Sequence, residues 1–173
     1  MKKIITKLPA LLAILVATAC SNGIKTYDGL YIVGTQGKEV TTTLTVDDVP
    51  SAIAVNVAAS ETVEQNTTVT LKAAPELVDA FNKEHHKNYE LLPQEAYKLE
   101  NAAQTIAQGK HISEMGTKLT IINRDAMKFG TTYVLPISID DVKGTSMPVI
   151  EASRTIYVVV NQVIVTKAAD LDA

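Results

Sequence analysis

The chain has 173 residues, the length of a single domain, with 19 acidic and 16 basic residues and a formal charge of −3. A mildly acidic chain lacks the basic surface that attracts nucleic acids, so we expect no nucleic-acid partner. A single cysteine excludes a disulfide framework, and the absence of tryptophan leaves any sugar stacking to smaller aromatic rings.

Residues 1–19 are predicted to be a bacterial signal peptide that is removed. Three lysines precede the apolar run Leu8–Val16, which is followed by the small residues Ala17, Thr18 and Ala19. The run is too short for a permanent membrane helix, which needs about 20 apolar residues. Cys20 at the cleavage point predicts a lipoprotein that is acylated there and held in the outer membrane, on the cell surface or the periplasmic face. The alternative is an ordinary secreted protein with an incidental cysteine.

After the leader we predict three segments: a lipidated tether over residues 20–27, a β-sandwich domain over 28–166 and a tail over 167–173. Apolar and polar residues alternate with period two through most of the domain, and threonine and valine dominate these runs. About seven short strands separated by turn residues indicate an antiparallel sandwich. The predicted strands are Gly29–Val33, Val40–Val46, Ser51–Ser60, Thr68–Ala73, Lys118–Ile122, Thr132–Ile139 and Arg154–Val165.

Pro75–His86 breaks this pattern and predicts one amphipathic helix. Leu77, Ala80 and Phe81 fall at helical spacing, and Pro75 suits a first helical turn, where its missing N–H is not needed. Acidic residues lie near the start and basic residues crowd the end, as the helix macrodipole favours. We therefore expect a single helix packed on a β core.

Two of the strands have unusual composition. Pro136 cannot donate to a strand ladder, so the strand that includes Tyr133–Ile139 is predicted to be an edge strand or to carry a bulge. The run Ile156–Val160 is apolar on both faces, and such a strand would aggregate at an exposed edge. We expect it to be central in its sheet or covered by another element.

An ordered set of motifs resembles one protein family. The motifs are Leu77–Asn82, Asn88–Pro93, Tyr97 and Thr132–Ile139. Together they are similar to the domain of unknown function 1735, the N-terminal domain of Bacteroidetes surface lipoproteins. The resemblance covers roughly residues 28–165, and it implies an immunoglobulin-like sandwich with a helical insertion. It also implies a role beside glycan-processing or glycan-binding domains, but it supplies no catalytic residue.

Glu84, His85 and His86 form the one cluster of histidine and carboxylate residues in the sequence. Adjacent residues on a helix point about 100° apart, whereas metal ligands must converge. We therefore interpret these histidines as cations at a helix C-terminus, and we expect no metal and no cofactor.

The remaining polar motifs point away from catalysis. The acidic pairs Asp47-Asp48 and Asp140-Asp141 follow strands and are interpreted as solvated turns. His111 and Ser113 lie two residues apart and are interpreted as a loop, because catalytic partners must meet in space. No nucleophile elbow, phosphate-binding glycine loop or zinc-protease motif occurs in the sequence, so we expect no enzyme.

Tyrosines are the best candidates for ligand contact. Phe81, Tyr133 and Tyr157 fall at core positions, and we expect the aromatic residues outside the candidate group to lie in the core of the strands or of the helix. The candidate glycan-contact residues are Tyr27, Tyr31, Tyr89 and Tyr97.

Two functions from different classes remain open at this point. The first is a non-catalytic lipoprotein module that serves as a spacer or weak glycan binder in polysaccharide acquisition. Its partners would be the membrane through Cys20, glycans and other outer-membrane uptake proteins. The second is an assembly protein or adhesin that pairs with a partner through a sheet edge.

Overall fold

The computed structural model describes residues 28–35, 39–47 and 51–162 of the chain. These residues contain eleven strands and one α-helix. The strands are Leu30–Ile32 (β1), Val40–Val46 (β2), Ala52–Val55 (β3), Val57–Ala59 (β4), Thr67–Ala73 (β5), Glu90–Leu91 (β6), Tyr97–Glu100 (β7), Ala103–Ile106 (β8), Thr117–Ile121 (β9), Tyr133–Lys143 (β10) and Thr155–Gln162 (β11). The helix is Val78–His85 (α1), and short 3-10 turns cover Pro75–Leu77, Gln94–Ala96, Arg124–Ala126 and Glu151–Ser153. The predicted leader, the tether with Cys20, Tyr27 and the tail 167–173 lie outside the described residues.

The strands form a sandwich of one large sheet and two smaller ones. The large sheet has the order β2-β11-β10-β5-β8, with β6 beside the start of β10. The smaller sheets are β3-β9-β7 and the pair β1-β4. The predicted mostly-β sandwich is confirmed. Most pairs are antiparallel, but β2 runs parallel to β11 and β6 runs parallel to β10, which the periodicity did not predict.

The hairpin of β10 and β11 is buried on both faces. Its inner face carries Leu135, Ile137 and Val158, which belong to the main core shared with the smaller sheets. Its outer face is covered by α1. This second cluster consists of Val78, Phe81, Val134, Tyr157 and Val159. The predicted central placement of the apolar run is thereby confirmed, because β11 lies between β2 and β10.

The predicted helix is confirmed as a 3-10 turn followed by α1. Pro75 is at the first position of the turn, and Asp79 is in the first turn of α1. The helix ends at His86, whose left-handed conformation (φ 52°) directs the backbone N–H to the Asn82 carbonyl oxygen. The Phe81 ring stacks on Tyr157 with ring centroids 4.3 Å apart and planes 21° apart.

The predicted strand Ser51–Ser60 is divided at Asn56, because the chain changes sheets there. Val55 pairs with β9, whereas Val57 pairs with β1. The buried Gln104 side chain bridges the break: Val57 N–H donates to Oε1 (3.2 Å) and Nε2 donates to the Val55 carbonyl oxygen (2.8 Å). Period-two alternation continues across the break, so the pattern alone could not reveal it. Strands β7 and β8 were also absent from the prediction.

The strand that contains Pro136 is not an edge strand, so that alternative is wrong; β10 does carry a bulge, as the other alternative predicted, but not at the proline. β10 is central, and its pairing on the side away from β11 passes from β6 at Tyr133 and Val134 to β5 at Ile137. Pro136 falls between these two partners, where no N–H is required. Its carbonyl oxygen still accepts a hydrogen bond from the Ala74 N–H (2.9 Å).

The bulge in β10 lies instead at Asp140, where the register with β5 shifts between Ile139 and Asp141. The strand continues to Lys143, so the prediction of a solvated turn at Asp140-Asp141 is wrong. Both carboxylates are exposed and paired, because Asp140 accepts from Lys72 (2.7 Å) and Asp141 from Lys143 (3.3 Å). A bulge tolerates two adjacent acidic residues because it turns both side chains toward water.

We predict that Phe81→Ala lowers the free energy of unfolding by about 3–5 kcal/mol. Phe81 is 3% exposed and fills the contact between α1 and Tyr157, so truncation leaves a cavity. Phe129→Ala is the matched control, because Phe129 is 68% exposed and its loss should change stability little. Urea denaturation of both variants measures the difference. A loss below about 1 kcal/mol for Phe81→Ala would mean that α1 contributes little to the fold.

Candidate functional site

A groove lies between the C-terminal half of α1 and strands β2 and β11. We call it the helix-end groove; its volume is about 580 Å³ and its walls combine aromatic and polar side chains. The polar residues that line it include Thr41, Thr43, Lys87, Thr132 and Asn161. The alternation of β2 explains the threonines, because Thr41 and Thr43 lie on the same face of the strand, and β11 adds Val159 and Asn161 from one of its faces.

Tyr89 is the aromatic residue placed to contact a ligand in this groove. It is half-buried and lines both the groove and a neighbouring depression of about 480 Å³, which also contains Gly130 and Thr132. Its backbone is held at two points by the Asn82 side chain: Asn82 Nδ2 donates to the Tyr89 carbonyl oxygen (2.8 Å), and Tyr89 N–H donates to Asn82 Oδ1 (3.1 Å). The segment after the helix is therefore fixed to the helix itself.

The structure does not bring the predicted tyrosines together as one platform. Tyr31 lies on β1 opposite Ala58 and does not line the helix-end groove. Tyr97 is 6% exposed, and its hydroxyl donates to Gln94 Oε1 (2.9 Å). Burial also raises the pKa of Tyr97. Its ring face is therefore not open to a sugar, whereas ligand contact at Tyr31 and Tyr89 stays a prediction.

Phe129 corrects the assumption that the other aromatic residues are all buried. It is 68% exposed in the loop before β10. This loop lies beside the depression next to Tyr89, because Lys128 Nζ is 3.4 Å from Glu90 Oε2 and Lys128 N–H donates to the Tyr133 hydroxyl (2.7 Å). Phe129 lies between a lysine and a glycine and outside any alternating run, and this position was the sequence signal for an exposed aromatic residue in a loop.

Two carboxylates from distant parts of the sequence meet at the rim of the helix-end groove. His85 Nε2 is 2.6 Å from Glu39 Oε1, and the Glu84 carboxylate lies beside them. Below them, burial raises the pKa of Tyr157 to about 12, and the charges of Glu39 and Glu84 add to this shift. The prediction that His85 lies at the helix C-terminus is confirmed, but the sequence did not indicate its partner Glu39, which lies 46 residues away along the chain.

A second groove, of about 430 Å³, lies at the other end of the helix between Leu77 and Arg154. Its two basic side chains are already paired. Lys72 contacts Asp140 (2.7 Å), and Arg154 donates to both carboxylate oxygens of Glu151 (3.0 Å each). This groove therefore offers no free cation to an anionic ligand.

Ser113 has a structural role in this fold. It is 3% exposed, and its hydroxyl donates to Gln104 Oε1 (2.7 Å). His111 is exposed in the same loop, and its carbonyl oxygen accepts a hydrogen bond from the Ala59 N–H (2.8 Å). The two residues therefore hold the loop against the smaller sheets.

No helix within residues 28–35, 39–47 and 51–162 combines the length and the apolar character that a membrane crossing requires.

This sandwich with a helix on its outer face defines a recognisable class of bacterial domain. A family model whose description ends in "-like, N-terminal domain" matches residues 24–146. The chain therefore belongs to this family of N-terminal domains, and the resemblance to the domain of unknown function 1735 is confirmed. A Bacteroides ovatus multidomain protein that includes this domain has a similar fold, with a TM-score of 0.50, 12% identity and coverage of 76% of this chain and 41% of that one.

Two further solved structures share the fold at low identity. A candidate carbohydrate-binding protein from Bacteroides ovatus has a TM-score of 0.63 and 21% identity, and the match covers 77% of this chain and 36% of that one. EndoBT-3987 from Bacteroides thetaiotamicron, solved with a Man5GlcNAc product, has a TM-score of 0.63 and 19% identity, with 77% and 30% covered. This chain thus spans about a third of their length. No curated protein matches the chain.

We predict that Tyr157 makes stability fall at alkaline pH. In the folded protein the pKa of the Tyr157 hydroxyl is raised to about 12, whereas in the unfolded chain this hydroxyl has the ordinary tyrosine pKa of 10.0. Between these values the unfolded state binds fewer protons, so the free energy of unfolding should fall as pH rises through this range and be unaffected by Tyr157 below it. Urea denaturation across this range measures the slope. The free energy of unfolding of Tyr157→Phe should fall less steeply with pH than that of the wild type, and equal slopes for the two proteins would contradict the role of Tyr157.

Proposed function

We propose that the protein is a non-catalytic, membrane-anchored accessory module of a polysaccharide-acquisition system, and that it contacts glycans weakly through the helix-end groove. The observation that carries the proposal is the position of Tyr89, a half-buried ring fixed by Asn82 in a groove lined by threonine, asparagine and lysine side chains. Glycans are bound by aromatic faces together with hydroxyl and amide hydrogen bonds. The fold shared with the candidate carbohydrate-binding protein and with EndoBT-3987 supports this class of role.

The groove favours weak binding. One partly exposed ring and a few polar side chains make few contacts, and a shallow surface leaves most of a sugar in water. We therefore expect dissociation constants near the millimolar end, or about −4 kcal/mol. Capture of a polysaccharide at the cell surface does not need a higher affinity from each module, because several modules that bind one polymer raise the effective affinity.

We predict that Tyr89→Ala abolishes millimolar glycan binding by the full chain, because it removes the ring that lines both the groove and the adjoining depression. Calorimetry against host and plant polysaccharides measures this binding. Tyr31→Ala is the comparison variant, since Tyr31 is also half-buried but lies on β1, and a loss of binding in Tyr31→Ala alone would place the ligand contact there instead. Micromolar binding that survives Tyr89→Ala would contradict the placement, and no binding to any polysaccharide would leave only the spacer role.

The proposal includes a lipid anchor at Cys20 and an outer-membrane location. We predict that Cys20→Ala releases the protein from the membrane fraction, because the only thiol in the chain is lost. Fractionation of cells that express the two forms, followed by a salt wash, measures the difference. A Cys20→Ala protein that still sediments with washed membranes would contradict the lipoprotein assignment.

The alternative function, assembly through a sheet edge, is favoured by one observation. Among the described strands β2 pairs only with β11, so its other edge is open along Val40–Val46. The apolar strand β11 itself is not available, because β2 and β10 flank it. Size-exclusion mass separates the alternatives: polymers after N-terminal trimming support assembly, and a monomer supports the accessory module.

A further inference from the structure

Three side chains that can bind a metal converge at the rim of the helix-end groove. Glu39 precedes β2, whereas Glu84 and His85 are the last two residues of α1. One ligand atom from each lies within 4.8 Å of the other two. The closest pair is His85 Nε2 and Glu39 Oε1 at 2.6 Å. All three side chains are exposed, so an ion can reach them from solvent.

Packing holds the imidazole in position. The His85 ring lies against Phe81 with centroids 4.5 Å apart and planes 43° apart. Phe81 is itself buried and stacked on Tyr157. The orientation of His85 is therefore set by a stack of aromatic rings that begins in the sheet, and this stack leaves Nε2 directed at Glu39. A ligand that is placed before the metal arrives loses less entropy on binding.

We propose that Glu39, Glu84 and His85 form a three-ligand site for Zn²⁺ or a similar transition-metal dication, with water in the remaining position. Two carboxylates neutralise the dication, and the imidazole nitrogen favours zinc over the oxygen-seeking Ca²⁺ and Mg²⁺. Three protein ligands with one open position is a common zinc arrangement.

Small side-chain rotations would bring the three ligand atoms to the spacing that zinc requires. Zinc bonds of about 2.0–2.1 Å in a tetrahedral arrangement place neighbouring ligand atoms roughly 3.3 Å apart. The direct contact between His85 and Glu39 at 2.6 Å would therefore open by less than an ångström, while the Glu84 carboxylate moves inward. Glutamate side chains at the surface can rotate in this way without a change in the backbone.

The surrounding electrostatics favour a cation at this point. The C-terminal end of a helix carries partial negative charge, and both Glu84 and His85 are in the last turn of α1. Glu39 and Glu84 both raise the pKa of Tyr157, which shows that their charges act on the same small region. Lys87 also lines the groove and reduces this negative potential, so a dication has to compete with it.

The test is a titration of the metal-free full chain with Zn²⁺ alone, without an affinity tag and in a Cys20→Ala background so that no thiol competes. Calorimetry should give one zinc per chain, and saturation should raise the melting temperature by roughly a few degrees. His85→Ala and Glu39→Gln should each lower the affinity at least about tenfold, since each removes one of three ligands. Glycan binding plays no part in this measurement, so it can fail or succeed independently of the proposed function.

The two other histidines are the matched controls. His86 adjoins the site but ends the helix in a left-handed conformation, and His111 lies in an exposed loop. His86→Ala and His111→Ala should change zinc affinity less than about twofold, and circular dichroism confirms that each variant is folded. Unchanged zinc affinity in His85→Ala, no zinc binding at millimolar concentration, or equal affinity for Ca²⁺ would overturn the proposal.

Discussion

The hairpin of β10 and β11 has two apolar faces, and the rest of the structure depends on covering both. One face closes on the smaller sheets and makes the main core. The other would expose Val134, Tyr157 and Val159 if α1 did not lie on it. The helix is short, so it covers only the middle of this surface and leaves a groove at each end. The need to bury a second face thus creates the helix-end groove, where we propose glycan contact and metal binding.

Hydrogen bonds from single side chains complete the regions where regular pairing stops. Gln104 supplies partners to the backbone where the chain changes sheets at Asn56, and Asn82 does the same for Tyr89 after the helix. A buried amide such as Gln104 is costly unless each of its groups is satisfied, so it defines one geometry rather than several. The candidate ligand contact at Tyr89 is consequently fixed by a rigid element rather than by a loop alone.

The sequence predicted what depends on local periodicity and missed what depends on pairing. Period-two alternation located β2 and β5 to within a residue, and the 3.6-residue pattern located α1 and its anchor Phe81. Pro136 indicated an edge strand or a bulge, and β10 does carry a bulge at Asp140, but the strand that contains the proline is central. A central strand can also accept it where one neighbour ends and the next begins. Phe129 was missed because solvent exposure in a loop has no period.

The candidate metal site could not be predicted for the same reason, since its geometry comes from register. The parallel pairing of β2 with β11 places Thr41 opposite Tyr157, and Glu39 therefore lies two residues before that level. Phe81 stacks on Tyr157, and His85 follows Phe81 by one helical turn. Neighbours on the helix alone predict no metal, because adjacent residues point about 100° apart; the third ligand, Glu39, precedes a strand that is distant in sequence. A shift of β2 by one residue would turn its threonine face toward the core and separate Glu39 from His85. The register that buries Leu44 and Val46 in the core therefore also brings the three proposed ligands together.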